Sequence, residues 1–105
     1  MSVSGGLNMN MIETAKEMPL GWVSRVLADM PPSRVKLFRI DPAGLPSETH
    51  LDYNEALIVL EGKLELRLGE DVLPLRRGDF ALIPARVSHE ILPGGAGTIL
   101  LLDPE

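Results

Sequence analysis

Cysteine is absent from the chain, which excludes disulfides, thiolate metal sites and a cysteine nucleophile. Aromatic residues make up only 4 %, so any core has to be built on Leu, Val and Ile. Basic residues are in the minority, with Lys and Arg numbering 10 against 15 Asp and Glu. The net charge of −5 argues against a binder of nucleic-acid backbones. No apolar run approaches the roughly 18 residues of a membrane helix; the longest is Ala56 to Leu60. The stretch from Met1 to Asn10 has neither a basic nor an apolar segment. It does not read as a secretory signal, and a cytoplasmic protein is expected. There is no Gly-x-Ser-x-Gly elbow, no P-loop and no dinucleotide fingerprint, since no helix follows the glycines of Gly94 to Gly97.

What the chain does have is punctuation. Its 105 residues, enough for one domain, include 10 Gly and 9 Pro. Residues 1–11 read as a flexible leader before a single domain over 12–105. Ile12 to Met18 holds either a helical turn or an irregular strand. Short β-rich runs then recur every 8 to 10 residues: Trp22 to Ala28, Val35 to Ile40, Ala56 to Glu61, Leu64 to Leu68, Val72 to Leu75, Phe80 to Ile83, His89 to Leu92 and Thr98 to Leu102. Between them lie Asp41 to Pro46, Glu61 to Lys63, Gly69 to Asp71, Arg76 to Asp79, Pro84 to Ser88 and Pro93 to Gly97, all read as turns or loops. Leu64 to Leu68 alternates apolar and charged residues, the pattern of a half-buried strand. Pro74 marks an edge strand or a bulge. This rhythm predicts an all-β antiparallel sandwich or small barrel with an N-terminal arm and no long helix.

The chemistry-bearing residues cluster around the two histidines, His50 and His89. Side chains alternate along a strand, so Glu48, His50 and Asp52 are expected on one face. Glu55 opens the next strand, and His89 is expected from across the barrel. Two imidazoles with one or two carboxylates form an N/O donor set suited to Fe(II), Mn, Ni or Zn rather than Cu(I).

Two stretches of the chain resemble the cupin superfamily. The second cupin motif, G-x5-P-x-G-x2-H-x3-N, is matched by Gly78, Pro84 and His89, with Arg86 at the glycine position and Pro93 at the asparagine. The first, G-x5-H-x-H-x(3,4)-E-x6-G, is matched by Glu55 and Gly62, but only one of its histidines is present. Anchoring on Glu55 puts His50 at the second histidine and Glu48 at the first. Anchoring on Gly44 puts His50 at the first and Asp52 at the second. The first alignment is preferred, because the block from Leu57 to Gly62 needs no gap. Asp52 reads better as a turn former before Tyr53 and Asn54. Arg86 could cap the barrel mouth and hold an anion.

The resemblance spans Val35 to Pro104. It implies a double-stranded β-helix (jelly-roll) barrel holding a divalent metal on His50, Glu55 and His89, with Glu48 as fourth ligand or as a nearby catalytic base. It also implies a small polar ligand or substrate and a homodimer. The edges of a domain this small point to a dimer as well. If the protein is an enzyme, dioxygenase, isomerase and lyase chemistry are all compatible with the fold. The alternative is a ligand-binding or sensor barrel whose metal site has decayed.

Overall fold

The computed structural model describes residues 6–105. One short helix, α1 (Met11–Lys16), precedes eight strands: β1 (Arg25–Met30), β2 (Ser33–Ile40), β3 (Leu45–Glu48), β4 (Glu55–Leu68), β5 (Asp71–Arg76), β6 (Phe80–Ile83), β7 (His89–Ile91) and β8 (Ala96–Asp103). Every pairing is antiparallel, and the order across the sheet is β1-β2-β8-β4-β7-β3, with β5 and β6 each joined to β4. The architecture is the expected all-β jelly-roll barrel. The leader expected over 1–11 lies partly outside the described residues. Within them, Asn10 caps α1 by accepting the Glu13 N–H at 2.9 Å, and Met9 and Met11 pack against the cluster of Ala15, Met18 and Leu37.

β4 organises the barrel. Its first half, Glu55 to Ile58, pairs with β6 and β8. Its second half pairs with β5 over Lys63 to Leu68 and with β7 over Leu66 to Leu68. One 14-residue strand therefore serves both walls. Inward-facing Leu57, Val59, Leu64 and Leu66 meet Ile83, Ile91 and Ile99 in the main core. The opposite face of β2, β4 and β8 is apolar too: Leu37, Leu60 and Leu100 pack under α1. A sheet buried on both faces reads as a continuous apolar run, which is why Ala56 to Leu60 shows no alternation.

Three sequence expectations shift, and one open alternative resolves. Glu61 to Lys63 is no turn; β4 runs through it, with a register shift between Val59 and Glu61. Gly62 stands opposite Gly97, both at positive φ (82° and 125°), and the missing side chains let β4 and β8 cross closely. In sequence, Glu-Gly-Lys between two apolar runs is indistinguishable from a hairpin. Leu45 and Pro46, read as part of a turn, open β3 (Leu45–Glu48). Of the two alternatives for Ile12 to Met18, the helical one is seen, as α1 over Met11–Lys16. The first strand begins at Arg25 rather than Trp22, and Trp22 itself has φ 60°. Pro74 sits as expected on an edge: β5 pairs only with β4, and Pro74 faces Glu65.

Candidate metal and ligand site

The site lies where β3, β7 and the start of β4 converge. β3 ends at Glu48, so His50 is not on a strand, and the single-face argument for Glu48, His50 and Asp52 does not describe what aims it. The loop after β3 is instead clamped to the loop after β6. The His50 carbonyl accepts the Arg86 N–H at 2.7 Å, and the Asn54 side-chain oxygen accepts the Ala85 N–H at 2.9 Å. Tyr53 stacks on the His50 ring with centroids 4.6 Å apart, and its hydroxyl lies 2.8 Å from Nδ1. His89 opens β7 and is the register partner of Glu48. It therefore arrives from the neighbouring strand, not from across the barrel, because β7 runs between β3 and β4.

The result is a tight donor group. Glu48 Oε1 lies 3.4 Å from Nε2 of both His50 and His89, and the two rings are 5.1 Å apart. Ligand atoms of Glu48, His50 and His89 all fall within 4.8 Å of one another. Glu55 stands just behind, 3.9 Å from His50 Nε2 and 3.7 Å from His89 Nε2. Asp52 is exposed and is not part of this group. The buried Nε2 of His50 and both ring nitrogens of His89 have no hydrogen-bond partner. Buried polar atoms are almost always satisfied, so three orphans at one point need an explanation. A cation accepted by the Nε2 atoms accounts for two of them, and the donor chemistry fits one.

Behind Glu55 lie two residues that the sequence did not single out, Lys36 and Asp103. Lys36 and Asp103 form a buried ion pair at 2.8 Å. Burial pushes the Glu55 carboxyl up to about 8, helped by a hydrogen bond shared with Asp103 and by the negative charges of Asp103 and Glu48. For Asp103 burial also acts upward, but the Glu55 hydrogen bond and Lys36 outweigh it and hold the group below its ordinary value. Burial, with Glu105 and Asp103 nearby, pushes the Tyr53 phenol up to about 12, so it stays neutral. One signal was legible for Asp103, the single charge of an otherwise uncharged β8; Lys36 shares β2 with Arg34 and Arg39 and carries no such mark.

Arg86 makes no ion pair with the site. Its Nε reaches the Leu51 carbonyl at 3.4 Å, and its φ of 71° explains why the second motif has glycine there. Arg86→Val is expected to cost about 1–2 kcal/mol more than Arg86→Gly, because a β-branched residue tolerates this backbone worst. Urea melts of the two variants check this, and equal midpoints would refute it.

Residues 36–103 match the family model described as Cupin_2, cupin domain. A 44-residue stretch is 46 % identical to quercetin 2,3-dioxygenase of Bacillus subtilis (strain 168). That match covers 42 % of this chain and spans 13 % of the relative's length. Among solved structures, a cupin-2 domain containing protein from Shewanella frigidimarina NCIMB 400 superposes with TM-score 0.82 at 25 % identity, covering 92 % of this chain and 94 % of that one. Protein NMB1881 from Neisseria meningitidis superposes with TM-score 0.76 at 16 % identity, covering 91 % and 97 %. No helix among the described residues is long and apolar enough to cross a membrane.

Proposed function

The chain belongs to the cupin family, and from that premise we propose that it holds a divalent metal inside the barrel and binds a small molecule beside it. Glu48, His50 and His89 form the primary donor set, and Glu55 is the reserve carboxylate. The observation that carries this is the pair of orphaned Nε2 atoms facing one carboxylate oxygen at 3.4 Å. Two imidazoles with carboxylates suit Fe(II), Mn, Ni or Zn. Tyr53 favours the required tautomer: when the His50 Nδ1–H donates to the phenol oxygen, the Nε2 lone pair is free to bind. A bound divalent ion would supply Lewis-acid activation of a ligand oxygen. Glu48, half exposed at the cavity edge, is placed to accept a proton from that ligand.

The test is metal content. Protein purified without a metal-affinity column, or reconstituted after chelation with Fe(II), Mn, Ni or Zn, is expected to carry about one ion per chain. His89→Ala and His50→Ala should lose it. Tyr53→Phe should bind about tenfold more weakly, the usual cost of removing a residue that orients a ligand. If none of the four metals binds, the site is a decayed one in a ligand-binding barrel.

The same reading extends to a homodimer. Ala28, Val35, Leu102, Ala56 and Leu82 align across five strands on the outer face, with Leu37, Leu100, Ile58 and Phe80 in the next row. The first row carries no charge; the second ends in Arg25 on β1 and is covered by α1 at Leu37 and Leu100, while Phe80 and Leu82 are 60 % and 50 % exposed. The uncovered apolar part of this face, around Leu82 and Phe80, calls for cover, which a second copy would supply. Sedimentation should find a dimer, and Leu82→Glu should give a monomer with unchanged circular dichroism. A monomeric parent protein would remove the proposal.

A further inference from the structure

β4 starts at Glu55, beside the metal-ligand group, and ends at Leu68, the register partner of His89. Both its ends therefore lie at the metal end of the barrel. Its middle, at Gly62 and Lys63, lies at the other end, about 15–20 Å away at the usual rise of a strand. A cleft of about 560 Å³ opens there, between β5 and the loop from Pro93 to Gly95. It is separate from the cavity of about 320 Å³ beside the metal ligands, whose walls carry Trp22 and Glu105. Lys63 and Arg76 line the cleft as register partners on β4 and β5. Both are exposed, and among the described residues neither forms an ion pair. Like charges directly opposite one another destabilise a sheet. Two carboxylates stand near, but neither relieves the repulsion. Asp79 is committed to the turn, where it accepts the Arg76 backbone N–H at 2.8 Å. Glu65, two residues beyond Lys63 on the same face, pairs with neither cation. On a chain whose net charge is −5, two opposed cations without a counter-charge depart from local consistency, and such departures mark functional positions.

We propose that this cleft is a second ligand site, for a small organic anion whose carboxylate or phosphate head sits between Lys63 and Arg76. The two cations share one face of the sheet, so a single oxyanion reaches both. The guanidinium supplies a planar fork of N–H donors and the ammonium a compact charge. The exposed rings of Pro74 and Pro93 flank them and offer apolar surface to the body of the ligand. Leu64 and Leu75, both buried, close the cleft from the core side. Its volume falls in the range of small-molecule sites. Binding an anion there also removes the repulsion between the two cations, so the ligand supplies what the sheet lacks. The site uses none of the metal ligands and stands or falls separately from the metal reading.

The probes are benzoate, phenyl phosphate, inorganic phosphate and the neutral benzamide. Each is titrated into the full chain after chelation, so that no anion is taken up by a metal ion. Amide chemical shifts locate the binding and calorimetry measures it. Benzoate or phenyl phosphate should shift the amides of Lys63, Arg76, Gly94 and Gly95 and leave those of His50 and His89 in place. The head group that binds more tightly identifies the class of anion. Benzamide should bind about tenfold more weakly than benzoate, since it lacks the charge that both cations hold. Lys63→Gln and Arg76→Gln should each weaken the anion severalfold while melting no lower than the parent at low salt, because the repulsion leaves with the charge. Glu65→Gln should tighten it severalfold, a gain that misfolding cannot produce. The proposal is overturned if no anionic probe binds, if benzamide matches benzoate, or if the shifts centre on His50 and His89. It is overturned as well if inorganic phosphate binds as tightly as phenyl phosphate, or if the charge variants leave the affinity unchanged.

Discussion

Gly62→Ala is expected to unfold the protein about 15–30 °C below the parent, a loss of about 4 kcal/mol or more. A Cβ at Gly62 would run into the carbonyl oxygen of Ala96, and one at Gly97 into that of Glu61. Both obstacles are backbone, so no rotamer change relieves them, and the strands would have to separate where β4 passes from one wall to the other. The positive φ at both positions adds about 1–2 kcal/mol of backbone strain. Gly78→Ala is the control. Its φ is 90°, but a Cβ there meets nothing within 4 Å. Only the backbone term then applies, about 1–2 kcal/mol, or roughly 4–16 °C. Thermal melts by circular dichroism check both variants. Equal losses would mean that positive φ, not the close crossing, is what glycine serves at position 62.

Glu55→Gln is expected to abolish a downward slope of stability with pH in the metal-free protein. The folded carboxyl titrates at about 8 against an ordinary 4.5. Between those values the folded state keeps a proton that the unfolded chain gives up, so stability falls as pH rises through that window and levels off above it. Asp103 has the opposite sign, because its lowered value stabilises the fold above its ordinary 3.8 and the benefit is lost on acidification. Its window therefore lies below that of Glu55. Glutamine keeps a donor for Asp103 and carries no charge to desolvate. The variant should match the parent near pH 5 and melt about 5 °C or more above it near pH 8, a difference of about 1 kcal/mol at least. Parallel profiles across this range would show that Glu55 is ionised throughout. Loading a metal should shrink the difference, since a nearby cation favours the carboxylate. For the same reason metal uptake should release protons and tighten as pH rises.

The strands of the second half were legible because each shows alternation or a short apolar run bounded by Gly, Pro or Asp. Phe80 to Ile83 and His89 to Ile91 fall within a residue or so of where the pattern places them, and Leu64 to Leu68 is the second part of the longer β4. The first half was harder. Trp22 belongs to a bend, and β3 is a mostly exposed strand containing Pro46. Neither carries a periodic signal.

By itself the sequence was enough for an aliphatic all-β domain and for the absence of any sulfur donor from cysteine; the resemblance led to His50, Glu55 and His89 with Glu48 beside them, whereas the tightest group in the fold is Glu48, His50 and His89. These depend on residue type and short spacing, which the chain carries locally. Four things required the folded arrangement. One is the passage of β4 straight through Gly62. Another is the arrival of His89 beside Glu48 on adjacent strands. The remaining two are the Lys36–Asp103 pair, which changes how Glu55 ionises, and the cavity wall that joins Trp22 to Glu105. Each depends on register between segments distant along the chain. Register is set by which apolar faces meet in the core, and no local spacing encodes it.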